Sequence, residues 1–331
     1  MPSSTCSNPR RTLLGPLRSA PLLLLFLPIA PAQPQPDPAS DAAALIRRAV
    51  ANHLAAEAAH HPQRFVLHKK DDKRDYLQEI IETRQGDVSF AIAASGQPLS
   101  PAMRQAQIDR LDALDADPDL QEHRRRREQE DNARVDKLMR LLPDAFLYHY
   151  ESTVPCAVTV PPSIPIPGAP TLASGTLASG TLASGTLASG TSAADLPPTS
   201  ECYHLTFIPK PAWNPPDTES KIMRGMAGEV WIEKSQERLT RLSAHIVTDV
   251  DFGWGFIGHL DKGGAIFLEQ TETSPRDWEL TRMKLDLTGK AFLVKPLNIH
   301  LTEEMARYTP VPADLDYHQA IKILKSEPIP H

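Results

Sequence analysis

The stretch from residue 202 to residue 301 constrains the fold most, because strand-like segments alternate there with connections of only a few residues. The segments are rich in β-branched and aromatic residues, as β-strands are. Connections such as Ser235-Gln236 and Ser274-Pro275 are too short for the crossover that parallel strands require. The sequence therefore predicts an antiparallel β-meander built from CYHLTFIPK (202–210), GEVWIEK (228–234), ERLTRLSAHIVTDVDF (237–252), GAIFLEQTET (264–273), DWELTRMKLDL (277–287) and AFLVKPLNIHL (291–301).

Several of these strands carry large apolar side chains on both faces, as EVWIE and AIFLE do. Because successive side chains of a strand point to opposite faces, one face is expected to pack on helices and the other to need a cover or a ligand. Aromatic residues recur on consecutive strands. If the concave face is open, they are candidates to line an apolar cavity, and the alternative is that they form core: Trp231, Phe267, Trp278 and Phe292.

The first half of the chain predicts helices as well as strands. Ser40 can cap a helix that runs to about His60, with Ile46, Val50 and Leu54 on one face. Ser100-Pro101 is typical of a helix start and opens a helical pair, 100–116 and 119–141. Together with the meander these elements predict an α+β fold, a single domain over 40–331 with the helical pair of 100–141 inserted. Three further strands are expected at 64–70, 74–85 and 88–94.

The N-terminus predicts an export signal over residues 1–32. Basic residues precede an apolar run from Ala20 to Ala32, and Ala30 and Ala32 form an A-x-A cleavage site. A membrane anchor is the alternative, but the run is interrupted by prolines and is shorter than the ~20 residues of a spanning helix. The sequence PRRTLLG also partly resembles a twin-arginine signal. We expect a Pro-rich linker over 33–39 and a periplasmic or secreted mature protein.

Charge and cysteine content narrow the function classes further. The net charge is −6, and removal of the signal with its three arginines makes it −9, which disfavours nucleic acids and anionic membranes as partners.

Cys156 and Cys202 are the two cysteines left after cleavage, and an exported pair predicts a disulfide; free buried thiols are the alternative. Between them lie four copies of TLASG, and 157–200 is expected to be a disordered insertion because little of it can be buried.

A G-x-G-x-x-G pattern at Gly253, Gly255 and Gly258 raises the possibility of a dinucleotide site. That fingerprint requires a buried parallel strand before it and a helix after it. Here the preceding strand alternates with polar residues, and only four residues separate Gly258 from Gly263-Gly264. We therefore expect the glycines to bend a loop between two strands, and we expect no cofactor.

Other catalytic and metal-binding motifs are weak or missing. The sequence contains no H-E-x-x-H, C-x-x-C, G-x-S-x-G or Walker A motif. His60-His61, at a predicted helix end, is expected to be solvated or to cap the helix rather than to bind a metal. The four consecutive arginines at 124–127 belong to a predicted helix, 119–141, in which seven basic residues are interspersed with six acids. This near-neutral mixture is typical of a solvated helix face. No enzyme activity is expected, and the weak alternative is a hydrolase using Asp249, Asp251 or His245. Asp249, Asp251 and Asp261 could also form a cation site or a carboxylate pair, but their spacing matches no calcium loop.

The strands Tyr203–Lys210 and Gly228–Lys234 carry the patterns Y-x-L-x-x-x-P-K and G-x-x-W-I-E-K. In this respect the chain resembles the lipoprotein carrier (LolA-like) superfamily of outer-membrane lipoprotein sorting. The resemblance implies an antiparallel half-barrel whose concave apolar face holds acyl chains beneath helices that act as a lid. The helical pair and the cysteine-bracketed insertion are departures from the typical carrier, so no functional residue is transferred.

Two functions are therefore expected from different classes. The first is an exported soluble protein that binds or carries a lipid or a lipidated protein in the cell envelope. The alternative is an envelope scaffold that binds another protein through the charged helix 119–141 and the 157–200 insertion and has no small-molecule ligand.

Overall fold

The computed structural model describes residues 41–156, 162, 164–167, 200–252, 258–291 and 295–326. The predicted export signal, the linker, most of the 157–200 insertion and Phe292 lie outside these residues. Within them the fold is α+β, as the sequence predicts: a largely antiparallel sheet with a few helices.

The described strands join one antiparallel sheet in the order β4-β3-β2-β1-β13-β12-β11-β8-β7-β6-β5, with β9 and β10 added beside β12. The end strands β4 and β5 each have one neighbour in the described chain, so the sheet is open, consistent with a curved half-barrel. The strands are β1 (Gln63–Lys70), β2 (Asp75–Ile81), β3 (Val88–Ala94), β4 (Gln97–Pro98), β5 (Phe146–Pro155), β6 (Glu201–Pro209), β7 (Met226–Glu233), β8 (Arg238–Ile246), β9 (Val250–Phe252), β10 (Gly258–Leu260), β11 (Ala265–Ser274), β12 (Asp277–Ala291) and β13 (Lys295–Pro310).

The helices begin at side-chain caps. α1 (Ala42–Ala58) is capped by Asp41, which accepts the Ala44 N–H, whereas the sequence predicted Ser40 as the cap. α2 (Pro101–Ala116) begins at the predicted Ser100-Pro101, and α3 (Pro118–Ala145) continues past the predicted end at 141. α4 is Tyr317–Ser326, and a 3₁₀ helix covers Glu219–Gly225. Among the described residues, no helix is both long and apolar enough to cross a bilayer.

Two pairs of helices cover the sheet at different places. α2 and α4 pack on β2 and β3, where Phe90 and Leu111 belong to one buried cluster. α1 packs on β6 and β7 through Leu45, Ile46, Leu205 and Ile232, all at most 2% exposed. α3 also contacts α1, so the two helices lie together over the strands that follow the insertion.

The residues on the two sides of the 157–200 insertion lie next to each other. Cys156 and Cys202 lie at disulfide distance, with their Sγ atoms 2.00 Å apart, and the Cys156 N–H donates to the Ser200 carbonyl. Ile164, inside the segment expected to be disordered, is 4% exposed and packs against Val66 on β1. The chain is therefore anchored to the sheet at this point, because the Pro-Ile sequence offers apolar side chains and loses little backbone entropy. The TLASG copies lie outside the described residues.

Asp87, in the predicted Gly86-Asp87 turn before β3, is expected to make stability pH-dependent. Burial under α3, and then the Glu128 and Glu82 carboxylates, raise its pKa to about 8. An acid whose folded pKa exceeds its unfolded value stabilises the protein below about pH 4, and this contribution disappears as the pH rises through 8. Asp87→Asn should therefore raise the free energy of unfolding at pH 8 by about 1–3 kcal/mol, and leave it unchanged at pH 4.

Urea denaturation at the two pH values measures this effect, with the exposed Asp72→Asn as the control. Equal stability of Asp87→Asn and the wild type at pH 8 would contradict the prediction.

Candidate ligand-binding cavity

A cavity of about 660 Å³ separates the helices α1 and α3 from the strands β8, β11 and β12. Its walls come from elements that are far apart in sequence, so only the folded sheet assembles it. Most of its lining is aliphatic: Leu54, Ala58, Val135, Met139, Leu142, Leu239, Leu242, Leu268, Leu280 and Met283.

The floor of the cavity follows from strand register. Leu242 on β8 is the direct partner of Leu268 on β11, and Leu268 is in turn the partner of Met283 on β12. Directly opposed residues on antiparallel strands point to the same face. The three side chains therefore form one apolar row across the sheet. A β-bulge shifts the alternation of side chains between the two faces of a strand. The bulges beside Gln270 and Trp231 therefore determine which side chains face the helices at the end of this row.

Two polar groups in the lining lack partners within the described protein. His53, on the cavity side of α1, is 8% exposed, and its Nδ1 makes no hydrogen bond. Burial lowers the pKa of this imidazole, so the neutral form predominates at pH 7. The Gln270 Oε1 is also buried without a hydrogen bond. Buried polar atoms of this kind usually find a partner in a folded protein or its ligand.

The opposite face of the sheet carries a charged network. Glu269, 2% exposed, pairs with Arg241 at 2.5 Å and with Arg282 at 2.8 Å. A buried carboxylate held by two guanidiniums fixes the relative positions of β8, β11 and β12. Arg241 of this network also lines the cavity, next to Leu242 on β8.

Of the aromatic residues predicted to line an apolar cavity, Trp231, Phe267 and Trp278 are not among the residues that line this one. Trp231 stacks on His204 with the rings 4.7 Å apart, and Arg241 lies over both Trp231 and Phe267 at 5.4 and 5.8 Å. These side chains alternate with Val230 and Leu268, which face the helices, so they lie on the charged face. Trp231 borders a separate space of about 160 Å³ there. The Trp278 indole donates to Gln236 at 3.3 Å, and Phe292 is outside the described residues.

The glycine pattern lies between two short strands. Gly258 begins β10, which pairs antiparallel with β9, and the connection includes Gly253 and Gly255, both outside the described residues. A dinucleotide fingerprint would instead lie between a parallel strand and a helix.

The weak hydrolase candidates do not form one constellation. Asp251 pairs with His259 at 2.7 Å, and this hydrogen bond raises the pKa of His259. Asp261 lies 3.3 Å from the same imidazole, while Asp249 accepts the Lys262 N–H. His245 is exposed on β8. His259 was not a candidate in the sequence. It follows Gly258 on β10 and is the direct partner of Asp251 in the β9-β10 pairing.

The charged helix α3 is held largely by ion pairs. Glu122 pairs with Arg125 and Arg126, and Arg134 pairs with Asp131 and Glu219. These contacts agree with the salt-bridged surface that the alternating charges predict. The cavity side of the same helix provides Met139 and Leu142.

Comparisons with protein-family models, with curated proteins and with solved structures find no match for the chain. The resemblance to lipoprotein carriers is therefore a hypothesis that rests on the sequence patterns alone.

Proposed function

We propose that this protein binds an amphipathic lipid, or the acyl chains of a lipidated protein, in the cavity beneath α1 and α3, and carries it within the cell envelope. The observation that supports the proposal is the aliphatic row Leu242-Leu268-Met283 facing a cavity of about 660 Å³. That volume lies within the ~300–1,000 Å³ typical of small-molecule sites.

The chemistry of the lining favours a hydrocarbon ligand. Each methylene removed from water contributes ~0.8 kcal/mol, so one acyl chain placed along the leucines supplies most of the binding energy. Directional contacts are few, as suits a ligand recognised by its apolar surface. We propose binding without chemical conversion of the ligand.

The polar groups of the lining suit the other end of such a ligand. A neutral His53 can accept at Nδ1, and the Gln270 amide oxygen accepts as well. A headgroup with hydroxyl or amide donors would satisfy both buried atoms. Glu57, Asp136 and Arg140 add charge to the wall formed by the helices.

The predicted export signal supports the proposal that this binding takes place in the periplasm or outside the cell. A carrier there shields acyl chains from water between two membranes. Mass spectrometry of organic extracts from detergent-free periplasmic protein identifies the ligand. A stoichiometric lipid supports the proposal.

Filling the cavity should abolish binding. Leu268→Trp places an indole in the centre of the apolar row, where it competes with the ligand for space. With delipidated protein and a dansyl-labelled undecanoic acid as the probe, we expect at least a tenfold increase in Kd, equivalent to about 1.4 kcal/mol. Ile208→Trp is the matched control, because Ile208 is 56% exposed on β6, away from the cavity.

Met283→Gln is a second variant that keeps the side-chain length and makes the floor polar, in case Leu268→Trp does not fold. Unchanged probe affinity in a folded variant of either kind would overturn the proposed site. Equal losses in both cavity variants and in Ile208→Trp would overturn it as well.

A further inference from the structure

A cluster of potential metal ligands lies where α1 leads into β1. His60 follows the last turn of α1, and Asp277 and Glu279 stand two residues apart at the start of β12. One donor atom from each of the three lies within 4.8 Å of the others. Ligands at ~2.0–2.2 Å from a zinc ion span a similar distance, so small side-chain movements suffice to surround one ion.

The imidazole of His60 is already oriented by a carboxylate. Its Nε2 lies 2.7 Å from Glu82 Oε2, and the same oxygen accepts the Gln63 N–H at 2.7 Å. This arrangement directs Nδ1 toward Glu279, whose Oε1 is 3.6 Å away. A histidine that binds a metal commonly donates its other N–H to a carboxylate in this way.

Glu279 supplies the second indication. Its side chain is 12% exposed, and its Oε1 is buried without a hydrogen bond in the described protein. Three further carboxylates, those of Asp277, Glu82 and Glu57, lie close enough to Glu279 to interact with it electrostatically. Besides His60, the guanidinium of Arg238 is a cation near Glu279, and it donates to the Asn52 carbonyl. Four carboxylates thus converge on a place where a cation would be stabilised.

We propose that His60, Asp277 and Glu279 bind one divalent transition-metal ion, best matched by Zn²⁺, with Glu82 positioning the imidazole. One nitrogen and two carboxylate oxygens form a donor set that zinc accepts, with a fourth position for water. The Gln63 amide donates to Asp277 Oδ2 at 3.1 Å and so orients a second ligand. The sequence predicted a solvated or capping His60 and gave no sign of this cluster, because more than 200 residues separate His60 from Asp277 and Glu279.

The test is titration of the chelator-treated, full-length protein without a histidine tag with ZnCl₂ by calorimetry. We expect one Zn²⁺ per chain. Glu279→Gln should weaken binding at least tenfold, and Glu82→Gln should weaken it ~10–100-fold by releasing the imidazole. His318→Gln is the matched control, since His318 is an exposed histidine paired with one carboxylate, Asp115.

Glu279→Gln keeps the shape of the side chain and removes a buried charge, so it should fold. The thermal midpoint should rise with Zn²⁺ in the wild type and not in Glu279→Gln, because only binding to the folded state stabilises it. Three results would overturn the proposal: no stoichiometric Zn²⁺ in the wild type, equal affinity in Glu279→Gln, or tighter binding of Ca²⁺ than of Zn²⁺.

Discussion

Replacing both Cys156 and Cys202 by serine should lower the free energy of unfolding by about 4 kcal/mol, which the chain-entropy model gives for a loop of this length. The two cysteines are separated by 46 positions, and their Sγ atoms are at disulfide distance. A crosslink there restricts the unfolded chain far more than the folded one, in which β5 and β6 are already paired. Chemical denaturation under oxidising conditions measures the loss.

Reductant is the internal control for this prediction. Dithiothreitol should lower the stability of the wild type to that of the double serine variant and leave the variant unchanged. A Cys6→Ser variant should behave as the wild type, because Cys6 precedes the predicted cleavage site. If reductant has no effect on the wild type, the crosslink is not formed or does not contribute.

Gly228→Ala should destabilise the protein by about 3 kcal/mol or more, as overpacking against a rigid neighbour does. A Cβ added at Gly228 would lie 2.0 Å from the Ser243 carbonyl oxygen and 2.7 Å from the Ala244 Cα. Both atoms are backbone of β8, so the paired strands would have to move apart in the interior of the sheet. Yield of folded protein and thermal unfolding measure the effect.

Gly96→Ala is the control that distinguishes a steric clash of the added Cβ from the cost of a left-handed backbone conformation. Gly96 has a φ of +71°, and a Cβ there meets nothing within 4 Å, so the cost is limited to the left-handed conformation, about 1 kcal/mol. Equal stabilities of the two glycine variants would contradict the steric explanation for Gly228.

Local patterns in the sequence predicted the elements well. The Ser100-Pro101 start is confirmed by the Ser100 Oγ, which accepts the Met103 N–H at 3.2 Å. The antiparallel meander is confirmed by the strand pairings, for example that of β11 with β12 across the short turn at Ser274–Asp277. The predicted end of α3 at 141 is too early, since the helix continues through Pro143 to Ala145.

The site was harder to predict, because two-residue periodicity says which side chains share a face but not which face meets the helices. Trp231 and Phe267 were chosen for their size, whereas Leu242 and Leu268 reach the cavity. A signal was present in the sequence, because Arg241 and Glu269 are direct neighbours of these leucines and successive side chains of a strand point to opposite faces. The β-bulge after Trp231 could not be read from composition.

The pairing of β1 with β13 has a consequence for the order of folding. Residues near 66 must find partners near 306, so the two parts of the sheet join only through a pairing of very long sequence separation. Until that pairing forms, β1 and β13 each expose an unpaired edge. Because the entropy of closing so long a loop must be overcome first, we expect the joining of these two parts to limit the rate of folding.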